Sequence, residues 1–328
     1  GYAALRLSAT DAARAAELVR GQLAVSMHSA DQLLDATGLQ LPGVLDALFA
    51  NDETLGVSWH GGMPLISLWA PTAQAVRLHL FEDATNSEAQ VLTMTRDDAT
   101  GTWFLMGETD WLGRYYLFEV TVFAPSTGRI ETNLVTDPYS LSLSADSARS
   151  QIVDLDDRDL EPFGWNRLRK PRLRAPEDIA IYELHVRDFS IADPKVPTAE
   201  RGTFQAFSRP FTSGMRHLRQ LARAGLSHVH LLPSFDFATV PERREDQVVV
   251  DQALLAGYPP DSEEQQAAIA AVKDQDGFNW GYDPWHYTVP EGSYATDPDG
   301  VARIREFRSM VRGLNWSGLR VVMDVVYN

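Results

Sequence analysis

The sequence predicts a multidomain protein, in which a small N-terminal α+β piece precedes a β-sandwich and then the opening of a parallel α/β sheet or barrel. The chain has 328 residues, enough for about two domains. Its middle consists of short alternating segments between turn residues, and its final part alternates strand-like with helix-like segments. We expect a partial α+β domain at 1–54, a sandwich at 55–157, a linker at 158–178 and the α/β region at 179–328.

The N-terminal piece begins with a short apolar strand around Ala3 to Leu7. A helix follows from Ser8, which can cap it, and then a strand in QLAVSM. A second helix, PGVLDALFA, starts at Pro42, where a proline is tolerated in the first turn. We expect this piece to be the tail of a larger domain.

The sandwich is predicted from period-two alternation, clearest from Val76 to Leu80, and from strand spacings of roughly ten residues. Its expected strands lie in LISLWAP, AVRLHLFED, VLTMTRD, GTWFLMG and YYLFEVTVFAP. Residues 158–178 carry many charges, contain prolines and follow neither period, which is typical of a linker.

The α/β region opens with the strand IAIYELHV from Ile179, followed by an amphipathic helix that ends at Gly225 and a strand from His228. A helix, DGVARIREFRSMVRGL, then leads to an apolar run at Val321–Met323 that suits a strand buried on both faces. Residues 234–298 are too long for an ordinary connection. We expect a helix in EEQQAAIAAVKDQ within this insertion, and a binding rim formed by it.

Composition narrows the partners. Lys and Arg total 29 against 45 Asp and Glu, a net charge of −16 that repels phosphate backbones and makes nucleic acid an unsuitable partner. Cysteine is absent, which excludes disulfides and thiolate chemistry. The sequence has no apolar run long enough to span a membrane, and its first residues lack the pattern of a signal peptide.

The motif Phe278-Asn279-Trp280-Gly281-Tyr282-Asp283-Pro284 combines aromatic rings with an amide and a carboxylate around a glycine. Flat rings stack on sugars, while Asn and Asp bond hydroxyl groups, so the composition suits carbohydrate. A turn with core aromatic residues is the alternative, and residue types alone favour it.

The string NWGYDP, followed by WHYTVPEGSYATDP, resembles the hallmark of the pullulanases, a branch of the α-amylase clan. Phe278 stands where that family usually has tyrosine. Two further segments agree in order: Tyr182–Phe189 resembles the first barrel strand, and Asp324–Asn328 resembles the clan's first signature region. Segments 68–73 and 137–139 resemble the carbohydrate-binding module that precedes the barrel, although WAP in a sandwich is more often core than ligand site.

The resemblance implies a carbohydrate-binding module followed by the first part of a (β/α)8 TIM barrel. It implies retaining hydrolysis of α-1,6 links in pullulan, amylopectin or limit dextrin, by two carboxyl groups ~5 to 5.5 Å apart. In that family these groups follow later strands, so we expect no catalytic residue in this chain and no activity from it alone. A non-catalytic α-glucan-binding fragment, isoamylase, branching enzyme and glycogen debranching enzyme remain alternatives.

The resemblance assigns the floor of a sugar cleft to this chain. Tyr282 matches the ring beneath the reacting glucose, Asp283 a carboxylate that holds an arginine supplied later, and Asp324 a residue of the same subsite. Trp280 and Asn279 complete the predicted substrate-binding set.

Asn328 is a weak calcium candidate, and an ordinary hydrogen-bonding Asn is the better interpretation. No other cofactor is implied. His185, His230 and His286 lack metal spacing and are better read as strand histidines. An extracellular or cell-surface location is expected from the resemblance alone.

Overall fold

A computed structural model describes residues 6–327 of the chain. These residues fall into two compact units, divided between Asp137 and Pro138. The strand expected around Ala3 lies mostly outside the described residues, as does Asn328.

The first unit begins with short elements. Its helices are α1 (Ala9–Ala12), α2 (Ala15–Leu18) and α3 (Pro42–Phe49), and its first strands are β1 (Ala24–Ser29) and β2 (Gln32–Gly38), which pair antiparallel. Ser8 caps α1 by accepting a hydrogen bond from the Asp11 main-chain N–H. The single long helix expected here is two short ones, which bury no side chain and so gain little from packing.

The rest of the first unit is a sandwich of two antiparallel sheets. Its strands are β3 (Gly56–His60), β4 (Met63–Trp69), β5 (Ala75–Phe81), β6 (Ala89–Thr93), β7 (Thr95–Arg96), β8 (Thr102–Met106), β9 (Tyr115–Ala124) and β10 (Arg129–Val135). One sheet has the order β3-β4-β8-β7 and the other includes β10-β9-β5-β6. The five expected segments all contain strands, with VLTMTRD divided between β6 and β7, and β3 and β10 are additional.

Alternation along β5 produces the core of the sandwich. Val76, Leu78 and Leu80 are buried, while the intervening Arg77 and His79 bind Glu119 on the other face of the sheet. The tryptophan of the WAP segment, Trp69, donates its indole N–H to main-chain carbonyls at 3.0 and 3.2 Å. This contact supports the structural interpretation of that segment.

The second unit contains β11 (Ser150–Gln151), β12 (Ile181–Leu184), α4 (Ser213–Arg223), β13 (His228–Leu231), β14 (Phe235–Phe237), α5 (Gln252–Gly257), α6 (Glu264–Ala270), β15 (Pro284–Pro290), α7 (Ala302–Trp316) and β16 (Arg320–Met323). Strands β12, β13 and β16 form a parallel sheet in that order, in register at Leu184, Leu231 and Met323. The segment from 158 to 178 has only short 3-10 turns.

Helices α4 and α7 supply apolar side chains to one core with the parallel sheet, including Met215, Leu218, Met310 and Leu314, all at most 1% exposed. Gly225 ends the turn after α4 with a φ of +115°. The expected burial of β16 on both faces is not seen in residues 6–327, in which Val322 and Met323 are each 37% exposed and β16 is an edge strand of the sheet.

Residues 138–157, assigned to the sandwich in the sequence analysis, pack within the second unit. The Thr288 hydroxyl donates to the Ser140 carbonyl at 2.5 Å, and the Gly300 N–H donates to the Leu143 carbonyl at 2.8 Å. The boundary between the two compact units therefore follows Asp137 and not residue 157. The finer four-part division stays a prediction.

Candidate functional site

The site lies where the parallel strands end. Strands β12, β13 and β16 finish at paired residues, so the side chains that follow them gather at one edge of the sheet. The antiparallel ribbon of β14 and β15 leads to the same region, since the 278–284 motif runs directly into β15. The 278–284 motif and the ends of the parallel strands, which are far apart in sequence, thereby lie next to each other.

A hydrogen bond joins the motif to the end of β16. The Tyr282 hydroxyl donates to Asp324 Oδ2 at 2.7 Å, and the Tyr282 side chain remains 45% exposed. That hydrogen bond, with burial and the negative charge as smaller causes, raises the pKa of Tyr282 to about 12. The ring therefore stays a neutral, accessible face whose orientation is fixed.

His230 lies behind this pair, on the central strand. Its Nε2 is 3.9 Å from Asp324 Oδ2, and its Nδ1 is 3.3 Å from a Glu183 carboxylate oxygen. Glu183 and His230 are direct neighbours in the parallel register. A polar row of these three side chains therefore borders Tyr282.

Asn279 and Asp283 are held by each other and by the segment after β14. The Asn279 amide donates to Asp283 Oδ1 at 3.0 Å and to the Ala238 carbonyl at 2.9 Å, and its Oδ1 accepts from the Gly281 N–H. The Thr239 hydroxyl donates to Asp283 Oδ2 at 2.6 Å. The Asn279 side chain thus has protein partners for its donors and its acceptor, which favours a role in shaping the turn.

Gly281 is required by this turn for two reasons. Its φ is +84°, which favours glycine, and an added Cβ would lie 2.8 Å from Pro233 Cβ and 3.0 Å from the Phe237 ring. The glycine of the motif therefore lets the loop lie directly on the β14 segment.

Rings under the motif surround His185, which is 8% exposed. The imidazole stacks on Phe278 at 5.1 Å and meets Tyr294 and Trp280 edge-on. Nδ1 accepts from the Asp188 N–H at 3.3 Å, so the proton belongs on Nε2, which donates to the Asn279 carbonyl at 2.8 Å. His185 is a satisfied structural histidine, while the Trp280 ring stays 57% exposed.

A buried ionic cluster lies at the other end of the ribbon. Arg303, fully buried, donates to Asp236 Oδ1 at 3.2 Å and to Glu242 Oε2 at 2.5 Å. His286 Nδ1 lies 2.7 Å from Asp236 Oδ2, and Glu291 accepts from main-chain N–H groups of Phe237 and Ser293. Every charged member is at most 4% exposed.

Burial controls protonation in this cluster. It raises the pKa of Glu242 to about 7 and the pKa of Glu291 well above its usual range. Burial alone would lower the pKa of Arg303, but the surrounding carboxylates raise it overall. Oxygens of Asp236, Glu242 and Glu291 lie within 4.8 Å of one another, a spacing compatible with a cation. The Arg303 guanidinium already supplies that positive charge.

The cluster also holds a strained turn. Asp146 and Ser147 both have positive φ, 54° and 52°, and the Ser147 hydroxyl donates to Asp236. The Asp146 N–H donates to Glu242 Oε2 at 2.7 Å, and the Glu242 N–H donates back to Asp146 Oδ1 at 2.9 Å. This reciprocal pair keeps the turn in its left-handed conformation.

The structure therefore brings four of the predicted residues together by direct contacts, in the pairs Tyr282 with Asp324 and Asn279 with Asp283. Trp280 lies in the same loop, with its ring 5.8 Å from that of Phe278. Asn328 lies outside the described residues. Sequence reasoning missed Thr239 and the Arg303 cluster.

Comparison with known families places two parts of the chain. Residues 54–140 match carbohydrate-binding module 48, the isoamylase N-terminal domain, and residues 1–47 match the pullulanase N2 domain. The fold and these matches define a protein of the class that couples a carbohydrate-binding module to an α/β region.

Individual relatives are more specific. Pullulanase 1, chloroplastic, of Arabidopsis thaliana is 47% identical over 95% of this chain and 32% of its own length, and a Klebsiella pneumoniae pullulanase is 37% identical over 100% and 34%. The crystal structure of Klebsiella pneumoniae pullulanase complexed with maltotriose matches with a TM-score of 0.89 and 37% identity, over 95% of this chain and 34% of that one. The chain carries pullulanase N-terminal domains and is related to the pullulanases.

The chain spans about a third of the length of these relatives. Within residues 6–327, no helix combines the length and apolar character needed to cross a bilayer.

Proposed function

We propose that this chain forms part of a starch-debranching glycoside hydrolase that cleaves α-1,6-glucosidic links in pullulan, amylopectin or limit dextrin by a retaining mechanism. In this proposal residues 179–328 begin a (β/α)8 barrel, and the catalytic carboxylates come from outside the chain. The chain contributes a glucan-binding module and one wall of the cleft.

The observation that carries the proposal is the hydrogen bond between Tyr282 and Asp324. It fixes an exposed aromatic face at the carboxyl ends of parallel strands, where α/β barrels place their active sites. Such a face can stack on a glucose ring, while Asp324 and Asp283 offer acceptors to sugar hydroxyls or to a cationic partner. Trp280 adds a second exposed ring nearby.

The test compares the complete protein with residues 1–328 alone. We expect the complete protein to release reducing sugar from pullulan, and the isolated chain to release none. A Tyr282→Ala substitution should lower kcat/KM of the complete protein at least tenfold, since the stacking surface is lost. Phe163→Ala, which removes an exposed aromatic ring outside the motif, is the matched control. A complete protein inactive on pullulan would refute the proposal.

A second function, α-glucan binding without catalysis, is favoured by the match of residues 54–140 to a carbohydrate-binding module. Co-sedimentation of the 328-residue chain with insoluble amylopectin tests it, with cellulose as the control polymer. Retention by amylopectin alone is expected, and equal retention by both polymers would contradict α-glucan specificity.

Location and metal content complete the proposal. We propose an extracellular or cell-surface location for the protein. The Arabidopsis thaliana relative, which is named as chloroplastic, differs from this proposal. A structural calcium ion near Asn328 is likewise only proposed. Activity retained in full after chelation and dialysis would remove it.

A further inference from the structure

Thr239 has a backbone conformation that its side chain disfavours. Its φ is +66°, in the left-handed region, and the residue is β-branched, for which positive φ is a genuine outlier. It follows β14 by two residues and its side chain is exposed, so core packing does not impose this conformation. Strain of this kind persists only where surrounding contacts over-determine it.

Those contacts belong to the proposed sugar site. The Ala238 N–H donates to the Asp283 carbonyl at 3.0 Å. The Asn279 amide donates one proton to the Ala238 carbonyl at 2.9 Å and shares the other between Thr239 Oγ1, at 2.9 Å, and Asp283 Oδ1, at 3.0 Å. The main chain of Ala238 and the side chain of Thr239 are thereby tied to the motif. The left-handed backbone conformation of Thr239 places its hydroxyl within hydrogen-bonding distance of the Asp283 carboxylate.

The direction of the hydrogen bonds follows from the donors available. An ionised carboxylate only accepts, so the single Thr239 hydroxyl proton must point to Asp283 Oδ2, at 2.6 Å. The hydroxyl oxygen is then free to accept from Asn279. Donation to a charged acceptor makes this bond stronger than an ordinary one.

We propose that Thr239 is a positioning residue that sets the orientation of the Asp283 carboxylate for the reaction. The inference rests on the proposed function, because Asp283 belongs to the proposed sugar site. The Thr239 hydroxyl performs this positioning, and the unfavourable positive φ of Thr239 is the conformational cost of holding the hydroxyl beside Asp283. Relief of the strain without the hydroxyl should therefore raise stability without restoring activity.

Three variants of the complete protein separate these effects. Thr239→Val keeps the branching and the strain but removes the hydroxyl, Thr239→Ser keeps the hydroxyl, and Thr239→Gly removes the hydroxyl and relieves the strain. The measurements are kcat and KM on pullulan and the thermal unfolding midpoint of each variant.

We expect Thr239→Val to lower kcat roughly tenfold to a hundredfold, the range for one hydrogen bond to a charged group, with KM changed less than about threefold. KM is spared because the Tyr282 ring is untouched. Thr239→Ser should stay within about threefold of wild type. Thr239→Gly should be as slow as Thr239→Val but should unfold at a higher temperature than Thr239→Val, because both lack the hydroxyl and only glycine relieves the strain.

The outcomes distinguish this inference from the proposed function. A wild type inactive on pullulan overturns both. An active wild type whose Thr239→Val variant keeps full kcat overturns the inference alone. So does a series in which kcat merely follows the unfolding midpoint, because that is the behaviour of a structural residue.

Discussion

Replacing Glu242 by glutamine should change how the stability of the protein depends on pH. Glu242 is 4% exposed and accepts hydrogen bonds from Arg303 and from the Asp146 main chain. Burial is the main reason that its pKa rises from 4.5 to about 7, and the charge of Asp236 raises it further against the opposing effect of Arg303. Glutamine keeps the shape and an accepting oxygen but does not titrate.

The sign follows from proton binding. Between pH 4.5 and 7 the folded protein holds a proton on Glu242 that the unfolded chain releases, so the free energy of unfolding falls as pH rises through this window. At about 1.4 kcal/mol for each pKa unit, Glu242 alone accounts for about 3 kcal/mol of this loss. The Glu242→Gln variant lacks that contribution, so its stability relative to wild type should increase by about 3 kcal/mol from pH 4.5 to pH 8.

Urea unfolding followed by tryptophan fluorescence at several pH values measures this difference. The pKa of Glu291 is raised in the same direction, first by burial and then by the charge of Glu242, so the difference between the two proteins reports Glu242 together with its effect on Glu291. Glu245→Gln removes a charge from an exposed position in the same loop and sets the background. A Glu242→Gln effect that is the same at pH 4.5 and pH 8 would refute the reasoning.

Three further substitutions have defined outcomes. Arg303→Met should cost about 3–5 kcal/mol in urea unfolding, because it leaves two buried carboxylates without their cation, whereas Arg305→Met on the same helix should cost far less. Gly281→Ala should destabilise the second unit, since both its φ and its space suit only glycine, and an unchanged unfolding midpoint would contradict this. Tyr282→Phe should leave the number of tyrosines that ionise below pH 11 unchanged in a 295 nm titration, because Tyr282 has a pKa of about 12; one fewer would be the contrary result.

Much of the fold could be predicted, because strong periodicity reflects burial on one face. The alternation from Val76 to Leu80 matches β5, where alternate side chains are buried. Strand β10 escaped prediction because its side chains are mostly exposed, so no apolar period distinguishes it.

The site was predictable only where local sequence carried it. NWGYDP drew attention to Tyr282 and Asp283, and resemblance to Asp324, and their substrate-binding role stays a prediction. The contact of Tyr282 with Asp324 joins residues 42 positions apart, which local sequence does not reveal. Nothing in the sequence indicated Thr239, because the type of a residue does not reveal whether its backbone conformation is strained. Asp236 does have a sequence signal, because it lies between two phenylalanines. A carboxylate in such an apolar segment is expected to be buried and to need a buried partner.

The reciprocal hydrogen bonds between Asp146 and Glu242 should affect which substitutions these two positions accept during evolution. Each residue supplies the acceptor for the other's main-chain N–H, across 96 positions of sequence. A change at Asp146 removes one of the contacts of Glu242, which keeps its bond to Arg303, whereas a change at Glu242 removes the side-chain acceptor of the Asp146 N–H, so position 146 should vary whenever position 242 does. Asparagine is the replacement at 146 that lineages could fix first, because it still accepts a hydrogen bond and tolerates the left-handed backbone.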